Sequence, residues 1–268
     1  MIDNGKKNIL GVEIDTVDYE GAVSRVVEAA KAEQGMAVTA LAVHGVMTGA
    51  TDATHRYRLN SFDMIVPDGM PVRWALNMLH KAQLPDRVYG PTLTLKVCEA
   101  AAKEGLPIYL YGSRQEVIDK LQENLREMFP EIQIAGAEPS RFRQTTAEEK
   151  VEIAQKIRDS GAAITFVGLG CPRQEVWAYE YRELLGMPIL AVGAAFDFHA
   201  GTLAQAPSRL QNMGLEWAFR LYKEPRRLWK RYAVLNPQYV AMVTMQALGI
   251  RRFDPQDNQA PTTDLLYG

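Results

Sequence analysis

Short apolar runs of strand length alternate along the chain with longer segments of helical periodicity. This alternation is typical of repeated β-α units, in which a mostly parallel sheet is covered by helices on both faces. The clearest strands are predicted at Met36 to Val43, Met64 to Val66, Pro107 to Tyr111, Ala163 to Gly168 and Pro188 to Val192. The clearest helices are predicted at Tyr19 to Gln34, Pro91 to Glu104, Glu116 to Phe129, Thr146 to Ser160 and Arg173 to Leu185. We therefore expect a doubly wound α/β fold.

The periodicity weakens once inside this pattern, between Phe129 and Thr146, where Pro and Gly interrupt it. The interruption predicts a soft boundary near 130–145 between two joined Rossmann-like halves, which together form a core over residues 1–231. Residues 232–253 are predicted to form a C-terminal helical appendage. Residues 254–268 are polar and contain Pro, a composition that favours a disordered tail.

Composition narrows the class of protein. The 268 residues are 47% hydrophobic and carry a formal net charge of -2, which indicates a globular chain without general attraction to nucleic acid. The two cysteines, Cys98 and Cys171, lie far apart, which excludes a disulfide scaffold and suits a reducing compartment. The N-terminus lacks the apolar stretch of a secretory signal. We expect a cytoplasmic location.

Charge is unevenly placed near the C-terminal end. Residues 216–231 hold six cationic and two anionic side chains among aromatics, and the nineteen residues 232–250 that follow contain no charge. A spanning helix needs about 20 mainly apolar residues, whereas this stretch includes Asn236 and Pro237. We predict that the segment lies at the surface of an anionic membrane. The alternative is an ordinary helix packed on the core with solvated arginines at its margin.

In open parallel sheets, ligands bind beyond the carboxyl ends of the strands. At one such end, Val66 to Pro71 places Asp68 between a Pro and a Gly immediately before a predicted helix. The tripeptide is also common in simple turns. A carboxylate at this point can nevertheless face the crevice of the sheet, a position that suits a catalytic base.

Small residues follow three further strands, where backbone amides can approach phosphate. These are Gly112-Ser113, the segment Gly168 to Glu175 and the segment Gly193 to Gly201, which includes Asp197. None has the dinucleotide fingerprint, which weakens the hypothesis of a nicotinamide-dependent oxidoreductase. His44, which follows the first predicted strand, is a further candidate, although most isolated histidines are structural.

Several catalytic motifs are missing from the sequence. There is no D-x-D motif, and no His or Cys pair has metal-ligand spacing, so a metal or other cofactor is not required. The serine elbow and the P-loop are also absent, which excludes the serine hydrolases and NTPases that depend on them.

Six blocks share the order and spacing of a known family, and together they resemble the WecG/TagA/CpsF glycosyltransferases. The blocks are Val66 to Pro71, Asp86 to Pro91, Gly168 to Glu175, Gly193 to Gly201, Ala206-Pro207, and Gly214 to Trp217 with Glu224-Pro-Arg. The resemblance implies an inverting, metal-independent transferase. It would move a sugar from a UDP-sugar to a polyprenyl-diphosphate-linked saccharide at the cytoplasmic membrane face, in pathways such as teichoic acid, common antigen or exopolysaccharide synthesis.

The same resemblance implies roles for individual residues. Asp68 would be the general base, and Arg87 and Gln174 would contact the donor. Arg220, Arg227 and Lys230 would bind the acceptor diphosphate. The complete set of predicted donor contacts is Thr39, His44, Arg87, Gly112, Ser113, Gly168, Gly170, Gln174, Glu175, Gly193 and Asp197.

The sequence departs from the family pattern at two positions. Many members have Thr-x-Asn after an early strand, whereas this chain has Thr39 followed by Ala-Leu-Ala-Val-His44. Thr92 stands where an acidic residue is frequent. Whether His44 replaces the Asn contact, which sugar is transferred and whether the chain forms a homo-oligomer are left open. The rival class is a non-catalytic nucleotide-binding module at the membrane surface.

Overall fold

The computed structural model describes residues 1–268, apart from the side chains of Ser208, Asn212, Arg227, Lys230 and Arg231. Two of the predicted acceptor contacts, Arg227 and Lys230, therefore lie outside the described residues.

Eight strands are present in the described chain. They are β1 (Asp3–Ile9), β2 (Val12–Val17), β3 (Met36–Leu41), β4 (Met64–Pro67), β5 (Ile108–Gly112), β6 (Ile134–Glu138), β7 (Ile164–Gly168) and β8 (Pro188–Ala191). The helices are α1 (Tyr19–Lys31), α2 (Val43–Thr51), α3 (Ala53–Asn60), α4 (Met70–His80), α5 (Gly90–Lys103), α6 (Gln115–Met128), α7 (Ala147–Asp159), α8 (Arg173–Leu185), α9 (Ala195–His199), α10 (Ser208–Asn212), α11 (Glu216–Lys223) and α12 (Pro225–Ala247).

Strands β3 to β8 form one parallel sheet in the order β4-β3-β8-β7-β5-β6, whereas β1 and β2 form a separate antiparallel hairpin. Helices cover both faces of the sheet, so the predicted doubly wound α/β fold is confirmed. The last strand, β8, lies between β3 and β7 and joins the earlier and later strands into one continuous sheet.

Two apolar cores lie on opposite faces of the sheet. One is built mainly on α2, α4, α7, α8 and α12, and it contains the stacked rings of Trp177 and Tyr181, whose centroids are 3.9 Å apart. The other is built on α1, α5, α6 and α9. Burial on both faces explains why the central strands read as nearly continuous apolar runs.

Local signals in the sequence start several of the helices. The Asp18 side chain accepts a hydrogen bond from the Gly21 amide at the start of α1. Thr146 and Glu149 form a capping box on α7. Pro71 lies in the first turn of α4, where the missing amide hydrogen has no cost. Asp68, the predicted base, lies just before the start of α4.

The C-terminal helix begins earlier than the predicted residue 232. Helix α12 runs from Pro225 to Ala247, and Pro237 lies inside it without ending it. Its second half packs on the core through Tyr239, Met242 and Val243, and the Tyr239 hydroxyl donates to the Pro71 carbonyl at 3.2 Å. The second half of α12 therefore agrees with the alternative of an ordinary helix packed on the core. Within the described residues, none of the helices combines the length and apolar character that crossing a bilayer requires.

Residues 254–268 have specific contacts that the composition did not predict. The Arg56 guanidinium donates to the Asp257 carbonyl, and the amides of Leu265 and Leu266 donate to the Glu180 carboxylate at 2.7 and 3.1 Å. Lys150 pairs with Asp264 at 2.7 Å. The segment thus follows α3 and α8 across the molecule, which differs from the disordered tail expected from its polarity.

Candidate functional site

A cavity of about 940 Å³ opens at the carboxyl ends of β3, β4, β7 and β8 and extends to α11 and α12. This position agrees with the rule for ligand sites in open parallel sheets. The predicted site residues that line it are His44, Asp68, Arg87, Ser113, Gly168, Gly170, Gln174, Glu175, Gly193, Asp197 and Arg220.

Asp68 is placed by the end of β4. Its amide donates to the Leu41 carbonyl on β3 at 3.2 Å, so the backbone still follows the sheet at this residue. Gly69 then turns the chain with a φ of +93°, a conformation that residues with a side chain rarely adopt. Helix α4 begins at Met70. The Asp68 carboxylate is left between the sheet and α5, where it accepts a hydrogen bond from the Gly90 amide.

The surroundings of Asp68 favour its protonated form. The pKa of this carboxyl is raised from 3.8 to about 7, chiefly by burial and also by the nearby Glu216 carboxylate. Arg87, Arg220 and the Gly90 amide act in the opposite direction. A carboxyl with a pKa near 7 is an effective proton acceptor at neutral pH, because a base works best when its pKa is close to the working pH.

Arg87 and Glu216 form a buried ion pair beside Asp68. The Arg87 Nη2 atom lies 2.7 Å from Glu216 Oε2, and the two side chains are only 9% and 13% exposed. The Tyr89 hydroxyl donates to Glu216 Oε1 at 2.7 Å, and the Arg87 guanidinium lies 4.3 Å from the Tyr89 ring centroid. Glu216 and Tyr89 were not among the predicted site residues, although both lie inside the blocks that carried the family resemblance.

The opposite wall is held by hydrogen bonds among Gln174, Glu175 and Thr39. Gln174 accepts from the Gly170 amide at 3.1 Å and donates to Glu175 at 2.9 Å, while the Thr39 hydroxyl donates to Glu175 at 3.0 Å. Burial raises the pKa of Glu175, and hydrogen bonds from Gln174 oppose this effect. Thr39 is fully buried and lies behind the lining residues. Its contact in the structure is Glu175, and its predicted role in donor binding stays a prediction.

The glycines around the cavity have different structural roles. A Cβ on Gly112 would lie 2.8 Å from the Gly168 carbonyl carbon, so Gly112 allows β5 and β7 to approach and lies beneath the lining. A Cβ on Gly168 would lie 2.6 Å from the Phe196 ring. Gly170 has a φ of +78° and open space around it. Among these three, Gly170 has the room that close approach of a ligand requires.

Cationic side chains border the cavity on several sides. Arg114 and Arg173 lie at the starts of α6 and α8, and Arg87 and Arg220 lie near Asp68. The Arg220 guanidinium is 5.8 Å from the Phe198 ring centroid. In the part of the chain that the structure describes, no group of three or more His, Cys, Asp or Glu side chains could hold a metal ion. The arrangement offers an anion site next to a candidate base.

A parallel sheet with a raised-pKa carboxyl and several arginines at the carboxyl ends of its strands defines an α/β protein whose candidate ligand site lies where open parallel sheets bind ligands. Sequence comparison identifies the family. Residues 7–253 match the family described as Glycosyl transferase WecG/TagA/CpsF, and the chain belongs to it. The family predicted from the six sequence blocks is therefore confirmed.

Two relatives come from Bacillus species, and both are named N-acetylglucosaminyldiphosphoundecaprenol N-acetyl-beta-D-mannosaminyltransferase. The protein of Bacillus spizizenii is 32% identical over 186 residues, which cover 69% of each chain. The protein of Bacillus subtilis strain 168 is 28% identical over 208 residues, which cover 77% of this chain and 78% of the relative.

Proposed function

We propose that the protein is an inverting glycosyltransferase that moves an N-acetylhexosamine from a UDP-sugar to a polyprenyl-diphosphate-linked saccharide in cell-surface polysaccharide synthesis. The observation that carries the proposal is the position of Asp68, a carboxyl with a pKa near 7 at a strand end beside arginines. The names of the Bacillus relatives support a GlcNAc-diphosphate-lipid acceptor and N-acetylmannosamine as the first donor sugar to test.

In the proposed reaction, an acceptor hydroxyl oxygen attacks the anomeric carbon of the donor sugar. The new C–O bond forms as the bond from that carbon to the UDP oxygen breaks, and the bonding electron pair leaves with UDP. Asp68 accepts the hydroxyl proton. Attack opposite the leaving group inverts the anomeric centre, and the absence of a D-x-D motif supports metal independence.

Negative charge grows on the diphosphate as UDP leaves. Fixed cations and helix N-termini can stabilise such charge without reorganising during the reaction. Arg87 is the donor contact that we propose, with Gly170 and the start of α8 facing the same cavity. Arg220, on the side of α11, would instead bind the acceptor diphosphate.

Exposed aromatic side chains in residues 216–231, the basic segment, support contact with a membrane. Tyr222 is 80% exposed and Trp229 is 52% exposed. Aromatic rings and cations together favour the interface of an anionic bilayer. We therefore propose that α11 and the first half of α12 lie against the cytoplasmic membrane face, while the second half packs on the core.

Transfer can be tested with purified protein, a short-chain GlcNAc-diphosphate-lipid and a panel of UDP-N-acetylhexosamines. The expected result is release of UDP together with an extended lipid product whose new linkage is inverted relative to the donor. Donor binding without turnover on any acceptor of the panel would contradict the proposal and favour a non-catalytic nucleotide-binding module.

Membrane contact can be tested separately by flotation with vesicles that contain anionic lipid. We expect the Tyr222→Ser, Trp229→Ser double variant to float less than the wild type. The control is Val151→Ser, since Val151 is 57% exposed on α7, away from the basic segment. Equal flotation of both variants and the wild type would contradict membrane contact through these rings.

A further inference from the structure

Glu216 connects α11 to the cavity beside Asp68. Both oxygens of its carboxylate are used, because Oε2 accepts from Arg87 and Oε1 accepts from Tyr89, each at 2.7 Å. Arg87 and Tyr89 are buried and lie in the segment that leads into α5. A carboxylate with two charge-assisted or phenolic donors at these distances has a fixed orientation.

The apolar contacts of helix α11 are partly exposed, as in the pair of Trp217 with Tyr232 on α12, whose ring centroids are 5.9 Å apart. None of the residues of α11 is buried. The turn before it packs near Trp74, since a Cβ on Gly214 would lie 3.0 Å from that ring, and Arg220 on the helix lies 5.8 Å from the Phe198 ring centroid. An eight-residue helix is too short to be stable in isolation. Polar links such as those of Glu216 therefore matter for its position.

The same carboxylate takes part in the charge balance at Asp68. Arg87 and Arg220 face Asp68 with positive charge, Glu216 faces it with negative charge, and the Gly90 amide of α5 donates to it. Tyr89, and Tyr19 on α1, are also near enough for the charge of Asp68 to raise the pKa of their hydroxyl groups. Helix α11 thus contributes one negative charge, Glu216, and one positive charge, Arg220, to the surroundings of Asp68.

We propose that Glu216 is a positioning residue that docks α11 over the cavity through Arg87 and Tyr89 and so holds Arg220 near Asp68. The inference rests on the proposed function, in which Asp68 is the base. Glu216 acts through its two partners and does not contact the reacting atoms. Docking of the basic segment and the proton affinity of the base are then controlled by one side chain.

The docking role can be measured without substrate, by hydrogen exchange of the α11 amides in the full chain. The test variant is Glu216→Gln, which removes the charge and keeps the size. The control is Glu183→Gln, because Glu183 is 84% exposed on α8. We expect exchange in residues 216–223 to be about tenfold faster in Glu216→Gln, as loss of one buried charged hydrogen bond predicts, and unchanged in the control. Unchanged exchange in Glu216→Gln would overturn the proposal.

The effect on the base can be measured from the pH dependence of kcat. Glu216 acts on the pKa of Asp68 more strongly than Arg220 does, and Arg87 stays buried in its own segment. Removing the charge of Glu216 therefore lowers this pKa even when Arg220 moves away, and the acid limb of the profile should move to lower pH by up to about one unit. At the same time kcat should fall about 10- to 100-fold, with a smaller change in donor KM, because Arg220 on α11 loses its position. Glu216→Asp keeps the charge on a shorter side chain and should restore the acid limb but not the full kcat.

Hydrogen exchange and the pH profile together distinguish failure of the Glu216 inference from failure of the proposed function. An acid limb that stays in place in Glu216→Gln would overturn the inference even if exchange became faster. If the wild type produced no transfer with any donor and acceptor, the proposed function would fail. The exchange experiment would in that case still decide whether Glu216 docks α11.

Discussion

The substitution Asp68→Asn is expected to stabilise the protein while it removes activity. At neutral and alkaline pH the wild type must keep an ionised carboxylate in a partly buried site, whereas Asn has nearly the same shape and no charge. Burial raises the pKa of Asp68 from 3.8 to about 7. The folded state therefore holds this proton over a pH range in which the unfolded chain has lost it.

The sign and size of the effect follow from this difference. Below pH 3.8 the carboxyl is protonated in both the folded and the unfolded state, and it does not reduce the stability of the fold. As pH rises from 3.8 through about 7, the unfolded chain loses the proton more readily than the folded one, so the wild type becomes less stable. The rise in pKa corresponds to about 4 kcal/mol at about 1.36 kcal/mol per pK unit. Because Asp68 is half-buried and opens onto the cavity, solvent screening reduces the effect, and we expect Asp68→Asn to gain about 1–3 kcal/mol at pH 8.

Urea unfolding of wild type and Asp68→Asn at pH 5 and pH 8 measures this gain. The advantage of the variant should be larger at pH 8, while its transfer rate should fall about 10²- to 10⁴-fold because the base is lost. A variant with equal or lower stability at pH 8 would show that the ionised carboxylate is favourable in the folded state. The electrostatic reasoning at Asp68 would then be wrong.

Three other substitutions test separate parts of the structure. Gly112→Ala should destabilise the fold by about 2–4 kcal/mol in thermal or urea unfolding, because it combines a φ of +115° with a Cβ 2.8 Å from the Gly168 backbone. The control, Gly161→Ala, has a φ of +75° and open space around it, and should cost about 1 kcal/mol. Thr39→Val should lower stability by about 1–2 kcal/mol through the lost hydrogen bond to Glu175 and leave donor KM unchanged, so a raised KM would instead support the predicted donor contact. Glu180→Ala should lower the free energy of unfolding by about 1–3 kcal/mol and make residues 254–268 easier to cleave with protease, because the amides of Leu265 and Leu266 lose their acceptor. A cleavage rate equal to that of the wild type would contradict the contacts of this segment.

The sheet was largely predictable because its central strands are apolar on both faces. Strand β6 was missed for a physical reason. It is a half-buried edge strand of five residues. Its Gly136 looks like a break in the sequence, although a Cβ there would collide with the Tyr109 ring. Gly136 marks a close approach between neighbouring strands, which composition alone does not distinguish from a turn.

Apart from the family resemblance, the candidate site was predictable only where a residue lies close after a strand. Asp68 and Gly170 meet that condition, and both line the cavity. Glu216 lies about 150 positions further along the sequence than Asp68, on a helix whose place depends on tertiary contacts. No local periodicity signals that its carboxylate returns to Arg87. The order of the family blocks was the signal that could have singled it out.

The position of β8 between β3 and β7 also affects how the chain is made. Strand β3, at residues 36–41, pairs on one side with β4 and on the other with β8, at residues 188–191. On the ribosome the first pairing can form early, but the other edge of β3 stays open until about 150 more residues have been synthesised. An apolar edge strand exposed for that long invites pairing with other chains. The centre of the sheet, which supports the cavity, is therefore the part of the nascent protein that most needs protection by chaperones.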